Sequence, residues 1–155
     1  MEVASPARLY ATAAGALLLA LGIVGFFYSA SFGSPGDVEP ALGVLRVNAW
    51  LNLLYAATGA IGLLAAGYAS RPYALAVGAL FTLLGVWGFV IDNGDAILGF
   101  LPASGGNEAL NLAIGLLGLA AAAGTAKRGS PHPDDAREEP RERLEPRAQA
   151  AAKRA

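Results

Sequence analysis

The chain predicts an all-α fold: a four-transmembrane-helix bundle built from two tandem helix hairpins in parallel orientation, followed by a charged tail. Three observations carry this expectation. Four apolar runs cover residues 8–28, 48–68, 72–91 and 107–126, each about 20 residues long, and at about 1.5 Å rise per residue each reaches about 30 Å, the thickness of a bilayer's hydrocarbon core. The composition is 55% hydrophobic and only 15% charged, where a soluble domain averages about 25% charged residues. The stretch "GALLLALGIVGF", Gly15 to Phe26, returns as "GALFTLLGVWGF", Gly78 to Phe89.

The first run carries no charge near its middle, where an ionised side chain would cost about 2.5–3.5 kcal/mol on insertion scales. It is read as a span rather than as a secretory signal cleaved near Ser29-Ala30-Ser31. Its flank offers only Arg8 against Glu2, and its sequence recurs in a segment that is not N-terminal. The second and third runs are separated by Ala69-Ser70-Arg71, a turn so short that it predicts an antiparallel pair of neighbouring helices. Ser70 before Pro72 is a candidate cap for the third helix, and Asn107 after Gly105-Gly106 for the fourth.

Basic residues in the short flanks set the expected orientation. Arg8, Arg71 and Lys127-Arg128 fall on one side of the four spans, whereas the other loops hold Asp37, Glu39, Asp92 and Asp95 with Arg46 their only basic residue. The positive-inside rule therefore predicts that both termini and the Arg71 turn are cytoplasmic. Residues 1–126 form the transmembrane domain. Residues 127–155 mix both charge signs with four prolines and one large apolar residue, Leu144. That composition cannot offset the entropy of ordering and predicts a disordered cytoplasmic tail.

The internal repeat extends beyond the opening phrase. "ALGVLRVNAWLNLLYAATGAIGLLAA", Ala41 to Ala66, aligns without a gap on "ILGFLPASGGNEALNLAIGLLGLAAA", Ile97 to Ala122. Span one matches span three, and span two with its preceding loop matches span four. Each unit crosses twice, so the two copies share one orientation. Gly15, Gly22 and Gly25 fall on one helix face, and Gly78, Gly85 and Gly88 repeat that face; Gly59 and Gly62 on span two meet Gly115 and Gly118 on span four. Small residues in a stripe let helix backbones approach, which is what drives association in lipid. The "LG-x-L" segments at Leu42–Leu45 and Leu98–Leu101 are too short to span. They read as interfacial turns or as the first turn of a longer helix, in either case covering the outer end.

Few residues offer chemistry. Asn52, Tyr55 and Thr58 lie at helical spacing on span two; Glu108 and Asn111 take the corresponding places of Asn52 and Tyr55 on span four. These two polar pairs are placed to face each other near the outer end. They read as ordinary interhelical hydrogen bonds, with contacts to a substrate, a quinone or a lipid headgroup as the alternative. The only histidine, His132, is in the tail, and there is no cysteine, so disulfides, thiolate sites and histidine-based metal or haem ligation inside the membrane are excluded. No P-loop, GxSxG or HExxH is present. No cofactor, no nucleic acid and no enzymatic activity are expected. The expected partner is the lipid bilayer, with a second copy of the chain or another membrane protein as further candidates.

With "NLLYAATGAIGLL" and "NEALNLAIGLLGL", an "LG-x-L" before each, and "GxxGF" closing spans one and three, the chain resembles a bacterial membrane family known as domain of unknown function 4383, over about Arg8 to Ala123. The resemblance implies four transmembrane helices in the bacterial cytoplasmic membrane and no established activity. It also implies an Asn-x-x-His in span two and an Asp-Asn-x-x-His in span four. Here Tyr55 and Asn111 stand at the histidine positions, Asn52 is kept, and Asn107-Glu108 replace Asp-Asn. A role resting on those histidines is therefore not carried over. The leading expectation is a structural or envelope-related membrane protein; the alternative is a small carrier or lipid- or quinone-binding protein with a site between spans two and four.

Overall fold

The computed structural model describes residues 4–32, 38–41, 43–91 and 96–126. The tail at 127–155 lies outside the described residues, as do Asp37, Leu42, Asp92 and Asp95 in the loops before α2 and α4. Four helices account for most of the rest: α1 (Pro6–Tyr28), α2 (Ala49–Ala65), α3 (Ser70–Val90) and α4 (Gly105–Ala123). α1, α3 and α4 are long and apolar enough to cross a membrane; α2, at 17 residues, is an apolar helix short of that length. The expected second span runs to residue 68, but after Ala65 the chain turns before α3 begins.

Two helix starts follow from local chemistry. Ser5 accepts from the Arg8 N–H and Pro6 occupies the first turn of α1, where a missing N–H costs nothing. Asn48 caps α2, its Oδ1 accepting from the Leu51 N–H at 2.9 Å. The two caps expected from sequence are displaced. Ser70 is the first residue of α3, whose cap position is Ala69 with no side-chain bond. Asn107 lies inside α4, behind a cap position at Ser104.

The expectation of a purely helical fold needs a second correction. The loops before α2 and α4 each contain a small antiparallel hairpin: β1 (Glu39–Ala41) with β2 (Leu45–Val47), and β3 (Ala96–Ile97) with β4 (Leu101–Pro102). In the first, Glu39 pairs with Val47 and Ala41 with Leu45; in the second, Ala96 pairs with Pro102 and Ile97 with Leu101. The described parts of the "LG-x-L" segments, residues 43–45 and 98–101, thus belong to hairpins and not to helix starts. Gly43 and Gly99 take φ of 77° and 79°, values a Cβ disfavours and glycine does not. Leu98 takes φ of 55° beside Gly99, and the Phe100 N–H returns to the Ile97 carbonyl at 3.2 Å, closing a turn with positive φ at both central residues, as hairpins favour.

The helix ends fall into two groups. At one, the Ala7 N–H donates to Thr125 Oγ1 at 2.9 Å and Arg71 Nε to the Thr125 carbonyl at 3.0 Å, bringing together the start of α1, the start of α3 and the end of α4. This is the basic end, with Arg8 and Arg71. At the other end, the hairpins contact the end of α1 and the start of α4. α2 therefore runs from the hairpin end back to the basic end. The closest backbone approaches are α1 with α2 and α3 with α4. α2 and α3, predicted as neighbours from their turn, touch mainly through side chains, with Tyr73 Oη donating to the Thr58 carbonyl and Tyr55 stacking on Phe81. The glycine stripes explain the difference: they face the other pairs.

Candidate functional site

The glycine stripes build the frame. A Cβ added at Gly15 would lie 3.0 Å from the Gly59 carbonyl oxygen and 3.0 Å from Leu63 N; one at Gly78 would lie 2.6 Å from Leu119 N and 3.0 Å from the Gly118 carbonyl carbon. Gly22 lies against Asn52 and Ala56, Gly85 against Glu108 and Leu112, Gly59 against Leu19, and Gly115 against Thr82. Real Cβ contacts essentially never come inside 3.0 Å, so both interfaces are backbone against backbone. Gly62 and Gly118 serve another purpose. Tyr73 Oη packs on Gly62 and donates to the Thr58 carbonyl at 3.1 Å; Tyr10 Oη packs on Gly118 and donates to the Ile114 carbonyl at 3.0 Å.

Those two tyrosines, missed by the sequence reading, cross between the halves. Tyr10 of α1 bonds α4, Tyr73 of α3 bonds α2, and their rings lie 6.3 Å apart between centroids. The signal was available: Tyr10 precedes Gly15 at the spacing by which Tyr73 precedes Gly78.

Toward the hairpin end lies the polar layer. Tyr55 and Asn111 do meet: Tyr55 Oη donates to Asn111 Oδ1 at 2.8 Å, with both residues buried. Asn52 and Glu108, expected to face each other, instead each serve their own half. Asn52 Nδ2 donates to the Ser29 carbonyl at 2.9 Å, tying α2 to the end of α1, and its Oδ1 lies over Gly25. Glu108 lies over Gly88 in the same way, and its carboxylate accepts from the Ser104 N–H at 2.8 and 3.0 Å. That N–H belongs to the cap residue of α4, so Glu108 satisfies an orphan donor at the positive end of the helix dipole. The glycines at 25 and 88 leave the room in which these side chains sit.

Two asparagines complete the layer. Asn107 Oδ1 accepts from the Arg46 N–H at 3.2 Å, and its Nδ2 donates to the carbonyls of Arg46 at 2.7 Å and Pro102 at 3.2 Å. A single side chain thus binds both strands β2 and β4 to α4. In return, Asn48 Nδ2 donates to the Phe100 carbonyl at 2.7 Å, so each hairpin is held by the helix start of the other half. Asn48 went unnoticed in the sequence because a cap and a bridge use the same residue type.

A cleft lined by Leu21, Val24, Gly25, Ala41, Leu45, Val47 and Tyr55 encloses about 10 Å³, room for one water molecule at most. Among the described residues, two buried polar side-chain atoms have no hydrogen-bond partner, Asn52 Oδ1 and Ser104 Oγ. No group of three or more His, Cys, Asp or Glu among the described residues is arranged to hold a metal ion.

Comparison with curated proteins and with solved structures finds no match to this chain. A family model described as "Domain of unknown function (DUF4383)" matches residues 8–124, which takes in α2, α3, α4, all but the first two residues of α1, both hairpins and the polar layer. The chain belongs to that family.

Proposed function

We propose that the chain is a non-enzymatic, multi-pass protein of the bacterial cytoplasmic membrane with a structural or envelope-related role. On this reading it is a duplicated helix hairpin whose polar layer locks the two copies together. The observation that carries it is the pairing within that layer: Tyr55 is bonded to Asn111 at 2.8 Å, while the cleft beside Tyr55 encloses only about 10 Å³. A carrier needs convergent polar groups around a void, and here the groups converge on one another. Crossing by all four helices is supported by the arrangement of ends, since α2 must return the chain from the hairpins to the Arg71 turn. A 17-residue helix is at the lower limit of about 17 residues for a span. Cytoplasmic termini are supported by Arg8 and Arg71 sharing one end.

The alternative, a lipid or quinone binder between α2 and α4, draws support from the unpartnered Asn52 Oδ1 and Ser104 Oγ. Native mass spectrometry of the protein released from nanodiscs of its own membrane lipids separates the two. The structural reading expects the same bound species for the wild type and for the Tyr55→Ala/Asn111→Ala variant. A lipid or quinone retained by the wild type and lost by the variant would replace it with the carrier reading.

A further inference from the structure

We infer that the hairpin end is a lipid-interface surface: its aromatic rings and hairpin turns lie at the headgroup layer of the outer leaflet, with Leu98 at the tip of the second hairpin reaching the headgroup end of the lipid chains. The inference rests on the membrane-spanning reading and adds which part of the molecule meets the interface and at what depth.

Three observations point to lipid. Rings run in sequence across this end: Phe26 at the end of α1 to Phe32 at 6.4 Å, Phe32 to Trp50 at 5.1 Å, and Trp50 to Phe100 of the second hairpin's turn at 6.0 Å between centroids. Trp50 and Trp87 are the only tryptophans in the chain. One lies in the first turn of α2 and the other in the last turn of α3, both therefore at the hairpin end, and they are 39% and 47% exposed. Tryptophan concentrates at the membrane–water boundary, where an apolar ring with one N–H donor is best placed.

The turns give the second observation. Val44 and Leu98 are 71% and 60% exposed, large apolar side chains at the tips of the two hairpins, the first of which also exposes Glu39 and Arg46. The third is the backbone at Leu98, whose φ of 55° is a conformation that asparagine or glycine tolerates and leucine disfavours. Strain persists where the surroundings compensate it. Among the described residues Leu98 is left largely exposed, and transfer of its side chain into lipid would offset that cost. A soluble partner protein could also cover an apolar patch, but the rings are continuous with the lipid-facing flanks of α1 and α3, where Phe27, Phe89 and Val90 are exposed at the same end. Continuity with that surface favours the bilayer.

Fluorescence depth measurement tests the inference. Three proteins would be reconstituted into phosphatidylcholine vesicles: W50F, retaining Trp87; W87F, retaining Trp50; and L98W in the W50F/W87F background. Each would be quenched by lipids brominated near the headgroup, by lipids brominated near the chain terminus, and by aqueous iodide. The expected result is greater loss of emission with shallow than with deep bromines for all three, and little loss with iodide. Quenching of Trp50 and L98W by iodide but not by bromolipid, with Trp87 still quenched by bromolipid, would overturn the inference and leave the spanning reading intact. Stronger quenching of Trp50 by deep than by shallow bromines would also overturn it. Failure of bromolipid to quench Trp87 would instead remove the spanning reading. W87F reports through a native tryptophan and keeps the test decisive if L98W does not fold.

Discussion

At the scale of single residues, the fold depends on where a methyl group cannot go. A Cβ at Gly78 would meet the backbone of α4 at 2.6 Å, and backbone cannot swing aside as the end of a side chain can. Gly78→Ala should therefore force α3 and α4 apart and cost about 1–3 kcal/mol, the range for overpacking a tight interface. Gly67→Ala is the control, since nothing lies within 4 Å of its added Cβ and its cost should be near zero. Unfolding of both variants in mixed detergent micelles measures the difference. The bond between Tyr55 and Asn111 calls for a gentler test. Tyr55→Phe keeps the stack on Phe81 and removes only the hydroxyl, so a double-mutant cycle with Asn111→Ala should return a coupling of about 0.6 kcal/mol and not above about 1.7 kcal/mol, the span measured for interhelical bonds in lipid. A coupling of zero would mean that the two side chains do not interact in the folded protein.

At the scale of elements, each hairpin is held by the helix of the other half. Asn107 makes three bonds to Arg46 and Pro102, and none of them contributes to a helix ladder. Asn107→Ala should release the first hairpin, while Asn48 still holds the second and α3 stays packed on α4. Hydrogen exchange checks this: protection should fall most at Leu45–Val47 and stay unchanged at Val77–Leu84. Loss of protection throughout would mean that the hairpins are part of the helices' cooperative unit. This is also where the sequence was least legible. The glycine stripes were readable because helical periodicity turns spacing directly into a face, and Gly15, Gly22, Gly78 and Gly85 each lie against a partner backbone. The hairpins were not, because their strands of two or three residues carry no periodicity, and "LG-x-L" fits a helix start as well as a turn. Only the positive φ at Gly43 and Gly99 and the long-range bonds of Asn48 and Asn107 decide between them. The same long-range bonds misled the cap at Asn107, whose side chain is occupied by the hairpins. Asn52 and Glu108 were read as partners from alignment alone. Equivalence in a repeat places two residues alike relative to their own neighbours, here Gly25 and Gly88, and says nothing of their facing each other.

At the scale of the whole molecule, α2 is the shortest of the four helices. Its 17 residues reach about 25 Å, less than the core of a typical bilayer, whereas α1 with 23 residues reaches about 35 Å. Yet the Thr125 bonds hold the starts of α1 and α3 at one end, so the chain must come back across whatever α1 has crossed. The hairpin at 39–47 resolves the mismatch if it occupies the outer interface, because α2 then begins below the headgroups and its deficit is made up by β1 and β2. Fusions of a periplasmic alkaline phosphatase and of green fluorescent protein after Ser31, Tyr68, Ile91 and Ala155 test this directly. Four crossings predict phosphatase activity after Ser31 and Ile91, and fluorescence after Tyr68 and Ala155. If α2 only dips into the membrane, the fusion after Tyr68 would report the same side as the fusion after Ser31, and the fusion after Ala155 would report the opposite side from that predicted. The two arrangements also differ in what the arginines do. With four crossings, Arg8 and Arg71 both stay at the cytoplasmic face, the location that basic residues favour. With three, Arg71 and Thr125 would both sit on the outer side, away from Ala7, and the bond from the Ala7 N–H to Thr125 Oγ1 could not form. Charge and hydrogen bonding thus favour the same topology, and the Tyr68 fusion is the point at which both are at stake.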